Sequence, residues 1–236
     1  MRAVIQAGLF ALFLGEAFAQ IQPDVAEILK KVTESYRDVS QYEVVTSVTF
    51  KDPTTKQITS RDMRFVFKAP DKYLEEVTGS DLAKETTPGD PIVDEVSTVY
   101  DGSRLWVYMP KLNKYRVYDA PNLPRDTAPE AADLYAGIGM YRHAAEIFDK
   151  ARFIREESVV MQGSTRVCFV LAGGDQLASG AMLWIDKSNY HILRMGDQDG
   201  SADMVFKTVN LNASLPDDLF KFEPPTGARK LDKPGF

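Results

Sequence analysis

The chain has 236 residues, a formal net charge of −6, 44% hydrophobic residues and 26% charged residues. Such a length suits one domain or two small ones, and the composition excludes a disordered tail, a collagen and a coiled coil. The acidic balance lacks the basic surplus of a general nucleic-acid binder, and with Cys168 as the one cysteine and His143 and His191 as the two histidines, neither a disulfide framework nor a Cys/His metal cluster can be assembled.

At the N-terminus, Arg2 precedes an almost wholly apolar run from Ala3 to Leu14, and Ala17-Phe18-Ala19 fits the small-x-small pattern of signal peptidase. Residues 1–19 are therefore expected to be a signal peptide cleaved before Gln20, because the run is shorter than the roughly 20 residues a membrane span needs. Residues 20–236 are expected to form one exported domain. No later segment is long and apolar enough for a transmembrane helix.

Asp24 can cap a helix in which Val25, Ile28, Leu29, Val32 and Tyr36 recur at helical spacing. From Gln41 the period changes to two. Strands are predicted over Tyr42–Phe50, Ile58–Phe67, Tyr73–Val77, Val96–Tyr100, Arg104–Met109 and Lys114–Tyr118. Lys84–Pro91 and Pro121–Pro129, both proline-rich, read as loops. Short helices follow over Glu130–Tyr135 and Tyr141–Lys150, split by Gly137 and Gly139. Strands resume over Phe153–Met161, Thr165–Leu171, Ala181–Asp186, His191–Met195 and Met204–Leu211, with turns that include Gln162-Gly163-Ser164 and Gly173-Gly174-Asp175.

About eleven strands and two or three helices, without a repeating strand–helix alternation, define an α+β fold with an antiparallel sheet. Strand twist should curl so large a sheet into a strongly curved half-barrel, with the helices covering its open concave side. Leu105, Val107 and Met109 face one way from their strand while Trp106 and Tyr108 face the other. Trp184 gives its strand the same two-sided apolar character. Met63, Phe65 and Phe67 share one strand face. Such a sheet offers either a two-sided core or a lined apolar cavity.

Catalytic patterns are missing. There is no G-x-S-x-G elbow, H-E-x-x-H, Walker loop or G-x-G-x-x-G, and Gly137-Ile138-Gly139 is better read as a helix break. Asp197, Asp199 and Asp203 lack the spacing and terminal glutamate of a calcium loop. The pairs Glu75-Glu76 and Glu156-Glu157 project to opposite sides of their strands, and Cys168 reads as a buried apolar residue. Binding is expected in place of catalysis, without a cofactor; an enzyme whose site is built from distant residues is the rival from another class.

Three segments resemble the LolA-type family of periplasmic lipoprotein carriers: Phe65-Val66-Phe67-Lys68-Ala69-Pro70-Asp71-Lys72-Tyr73, Tyr100-Asp101-Gly102-Ser103-Arg104-Leu105-Trp106-Val107-Tyr108-Met109-Pro110, and Phe220-Lys221-Phe222-Glu223-Pro224-Pro225-Thr226-Gly227. The resemblance implies a half-barrel whose cavity takes up lipoprotein or other lipid acyl chains between two membranes, in a monomer. Its partners would be an inner-membrane releasing complex and an outer-membrane acceptor. A sensing module of the same fold, without transport, is the alternative. Candidate lining residues are Met63, Phe65, Phe67, Tyr73, Leu105, Trp106, Tyr108 and Trp184. The carriers resembled have an arginine just before the proline of the first segment, where it latches the helical lid. This chain has Ala69, so closure is expected from apolar packing or another cation such as Lys68 or Lys72.

Overall fold

The computed structural model describes residues 23–79, 94–120, 128–135, 137–161, 163–173 and 180–231. The expected signal peptide, the Lys84–Pro91 loop, most of the Pro121–Pro129 excursion, and Gln162, Gly174 and Asp175 of the expected turns lie outside these residues.

Helix α1, Val25–Tyr36, starts where the Asp24 carboxylate accepts from the backbone N–H groups of Ala26 at 2.9 Å and Glu27 at 3.3 Å. These are amides that the first turn leaves without carbonyl partners. Its stripe of Ile28, Leu29, Val32 and Tyr36 is buried. Six strands follow: β1 (Gln41–Lys51), β2 (Ile58–Lys68), β3 (Lys72–Gly79), β4 (Glu95–Tyr100), β5 (Arg104–Met109) and β6 (Lys114–Asp119). Between β4 and β5 the Asp101 carboxylate accepts from Ser103 N–H and Arg104 N–H, both at 2.8 Å, and Gly102 supplies the φ of 96° that the turn needs.

Helix α2 (Pro129–Tyr135), a 3-10 turn (Gly139–His143) and helix α3 (Ala144–Ile147) come next. The expected helix over Tyr141–Lys150 is therefore shorter and begins as 3-10. Tyr141, Ala144 and Phe148 must all turn into the core, and all three are buried there. Five strands then complete the expected set: β7 (Arg152–Met161), β8 (Ser164–Ala172), β9 (Ala181–Asp186), β10 (Ile192–Asp197) and β11 (Ala202–Asn210). A twelfth, β12 (Arg229–Lys230), pairs parallel with β6. Two residues carry no readable period, so nothing in the amino-acid pattern announces it.

All strands join one sheet in the order β12-β6-β5-β4-β3-β2-β1-β11-β10-β9-β8-β7. The sheet is open, since β12 and β7 are its outer strands and every pairing except β12–β6 is antiparallel. Its two halves meet along the β1–β11 seam, where Glu43 is opposite Asn210 and Phe50 opposite Ala202.

Both faces of the sheet are covered in part. On one, the α1 stripe and Ile138, Tyr141, Ala144 and Phe148 share a core with Tyr42, Val44, Phe65, Phe67, Tyr73, Leu105, Leu171, Leu183, Ile185 and Phe206. Tyr36 anchors α1 by accepting from Ile192 N–H at 2.9 Å. On the opposite face the segment after β11 runs as a strap, with Ala213, Leu215 and Phe220 buried against Val66, Leu74 and Val99. Lys68 fastens it by donating to Leu215 O at 3.0 Å and Asp217 Oδ1 at 2.7 Å.

Phe220 is 1% exposed, so Phe220→Ala should cost about 3–5 kcal/mol of stability. Lys68→Ala, which loses half-exposed polar contacts, should cost about 1 kcal/mol or less. Urea denaturation of the two variants checks the ranking.

Candidate functional site

Cross-strand register decides which of the candidate lining residues meet. Phe67 is opposite Tyr42 and Tyr73, Tyr73 opposite Tyr100, and Tyr100 opposite Leu105. These residues therefore form one transverse row on the helix-bearing face. Phe65 sits one step along it. Ring centroids lie 5.5 Å apart for Tyr42–Phe67, 5.8 Å for Phe65–Tyr73 and 5.9 Å for Tyr73–Tyr100. Tyr42, Phe65, Phe67, Tyr73 and Leu105 are buried beneath the helices.

Met63 shares that face, two residues further along β2, and is half-buried. With Val96, Val107, Met195 and Met204 it belongs to the part of the face that is not fully enclosed. Trp106 and Tyr108 point the other way. Each has its ring centroid 5.4 Å from that of Phe222, beneath the strap. Trp184 is also on the opposite face, clustered with Cys168, Val170, Met182 and Leu193, and the Arg194 guanidinium lies 4.3 Å from its ring centroid. Thus Phe65, Phe67, Tyr73 and Leu105 come together, Met63 adjoins them, and Trp106, Tyr108 and Trp184 occupy two places on the other side.

Position 69 has its own local arrangement. A recess of about 570 Å³ lies between the end of α1, Ala69-Pro70, α2 and the 3-10 turn, with Asp133 and Arg142 in its wall. Arg142 pairs with the Asp133 carboxylate and donates from Nη2 to Val39 O at 2.8 Å. The Tyr42 hydroxyl donates to Asp133, and its oxygen accepts from Ile138 N–H at 3.3 Å. Burial, then the neighbouring Asp133 charge, push the Tyr42 hydroxyl well above its usual range, so it stays a donor. Gly137 is required here, because a Cβ at that position would lie 1.9 Å from the Tyr42 hydroxyl oxygen.

This clamp joins the helical segment to the start of β1. Its guanidinium is supplied by Arg142 on the helical side and not from position 69, which is an alanine. Lys68 and Lys72 do not take part, since both pair with Asp217 on the opposite face. Nothing in the spacing of Tyr42, Asp133 and Arg142 announces the clamp in the sequence. A helical Asp that becomes buried is its one hint.

Among the described residues, the groups singled out in the sequence form no catalytic constellation. Burial pushes the Cys168 thiol up to about 12, so it is a poor nucleophile at neutral pH. Glu76 turns outward to Arg64, which also holds Glu43, whereas Glu75 turns to the helix-bearing face. His191 packs against Tyr36, and burial lowers its pKa.

The described residues thus form a wide open antiparallel sheet with short helices packed on one face. The chain belongs to the family described as "Predicted periplasmic protein (DUF2092)", whose model matches residues 25–232. A search of curated proteins finds none that matches it. Among solved structures it is similar to LprF from Mycobacterium bovis, with a TM-score of 0.50 at 12% identity over 83% of this chain and 97% of that one. It is also similar to an uncharacterized conserved protein from Thermus thermophilus, with a TM-score of 0.46 at 17% identity over 87% and 96% of the two chains. A LolA superfamily protein from Nitrosomonas europaea matches with a TM-score of 0.34 at 16% identity over 85% and 99%.

Arg142→Leu leaves Asp133 without its cation in a mostly buried place, and should cost about 3 kcal/mol. The double variant Arg142→Leu/Asp133→Leu should recover much of that loss. Denaturation midpoints of the two single variants and the double variant measure the coupling, and a double-variant loss equal to the sum of the two single losses would show that the pair is not coupled.

Proposed function

We propose that this protein is an exported envelope carrier or chaperone, one domain over residues 20–236, that holds an acyl chain of a lipoprotein or another amphiphile between its sheet and its helices. The sheet acts as a half-barrel and the helices as its cover. One observation carries this reading: the helix-bearing face is apolar beyond the fully buried aromatic row, yet Met63, Val96, Val107, Met195 and Met204 there are half-buried. Apolar area of that kind gains about 25 cal/mol for each Å² removed from water, so one acyl chain supplies several kcal/mol with no covalent step.

Of the eight candidate residues, half-buried Met63 is the one an acyl chain would reach first on this face, and Phe65, Phe67, Tyr73 and Leu105 would follow only where the helical cover moves aside. Trp106, Tyr108 and Trp184 would contribute only if a chain bound the opposite side. The family description as periplasmic supports export, and the Ala17-Phe18-Ala19 site is where the leader would be removed. An inner-membrane donor and an outer-membrane acceptor are the partners such a carrier requires.

Native mass spectrometry of the protein purified from its own periplasm should show a co-purified lipid mass. Met63→Glu should weaken uptake of a fluorescent fatty acid by roughly tenfold or more, since a carboxylate opposes burial in an apolar recess. A lipid-free protein that takes up no fatty acid would overturn the carrier reading. Capture of an envelope protein in place of lipid would point to the sensing alternative.

A further inference from the structure

We infer that β7 is the contact strand of a two-fold dimer of this chain, in which it pairs antiparallel with β7 of a second copy. The inference departs from the monomer that the resemblance implies, and it does not rest on the carrier reading. β7 is an outer strand of the sheet, and among the described residues it pairs only with β8. At the other margin the outer strand is β12, only two residues long, whereas β7 offers ten. Away from β8, its N–H and C=O groups form a row that a further strand can take up. Arg152, Arg155, Glu156, Ser158 and Val160 are exposed along it, Val160 by 71%.

An outer strand is guarded against its own copies by proline or by charge that repels them. β7 has no proline, and its central charges are self-complementary. Arg155 is opposite Val170 and Glu157 opposite Cys168, so both project from the face that carries the Trp184 cluster, while Glu156, opposite Phe169, projects from the helix-bearing one. An antiparallel copy centred on Glu156 sets Arg155 against Glu157 of the second copy, and the two-fold axis repeats that pair. Within one chain Arg155 Nε already donates to Glu157 at 2.9 Å, so the four side chains alternate in sign around one cluster. Glu156 meets its own copy on the axis, and there each carboxylate has Lys187 at 2.5 Å. Moving the centre by one residue sets Arg155 on Arg155 or Glu157 on Glu157, which selects this register. The irregularity between Phe153 and Arg155 confines the pairing to Ile154–Ser158. Residues opposite each other share a face, so the sheet continues from one copy into the next with both helical covers on the same side.

The test is sedimentation equilibrium of the full mature protein at low salt. A dissociation constant on the order of 100 μM is expected, since so short a contact leaves little surplus over the cost of association, and the measurement should span that value tenfold in each direction. Arg155→Glu alone and Glu157→Arg alone should each weaken association roughly tenfold, because the symmetry turns two attractive pairs into two repulsive ones. An equimolar mixture of the two variants should restore it, as a copy with acids at both positions then meets a copy with arginines at both. The double swap Arg155→Glu/Glu157→Arg should also associate as the parent does. Both side chains reach solvent, at 49% and 31% exposure, so the variants keep the fold. In the parent, amide exchange over Ile154–Ser158 should slow as concentration rises, a readout that needs no variant. A parent that stays monomeric over the whole range overturns the inference. So does a dimer that both single variants leave unchanged, or one that their mixture fails to restore, since its contact then lies elsewhere.

Discussion

An open sheet must find cover for its faces from outside itself, and the rest of this structure follows from that requirement. A closed barrel hides its interior by geometry alone. Here β12 and β7 never meet, so the aromatics Tyr42, Phe65, Phe67 and Tyr73 are kept from water by α1 and the Ile138–Phe148 segment. The opposite face has the same need where Val66, Leu74 and Val99 stand, and the strap with Phe220 answers it. The two covers differ in kind. The strap is joined to the sheet by ladder bonds at β12 and by Lys68, whereas the helical cover meets the start of β1 through the buried cluster of Tyr42, Asp133 and Arg142.

Strand placement was legible because a period of two is a local property. The eleven strands read from alternation lie within two residues of their observed ends, and the Asp24 cap and the Asp101-Gly102 turn act as their residue types suggest. Which face each strand buries was not legible. Trp106 and Tyr108 have the same alternation whether they turn to helices or to a strap, and only the position of Phe222, more than a hundred residues away, decides between them.

The side chain of Ala69 can make no hydrogen bond, and the tie between the helical segment and the start of β1 comes from the guanidinium of Arg142. What the tie needs is a planar cation within reach of a buried carboxylate and a carbonyl, here Asp133 and Val39 O. A motif read position by position scores Ala69 as a loss. The clamp also constrains its surroundings, since Gly137 must remain small for the Tyr42 hydroxyl to reach its place.

The seam between β1 and β11 bears on how the molecule assembles. Strands β1 to β6 succeed one another along one half of the sheet and β7 to β11 along the other, so each half is a meander of near neighbours. Joining them brings Glu43 beside Asn210, a loop closure across most of the chain whose entropy must be met before its contacts form. Until that happens, β1 and β11 each present a bare hydrogen-bonding edge, the feature by which partly folded sheets pair with the wrong neighbour. Folding should therefore be slow relative to a helical bundle of equal size, and for as long as it takes the β1 and β11 edges stay open to other strands.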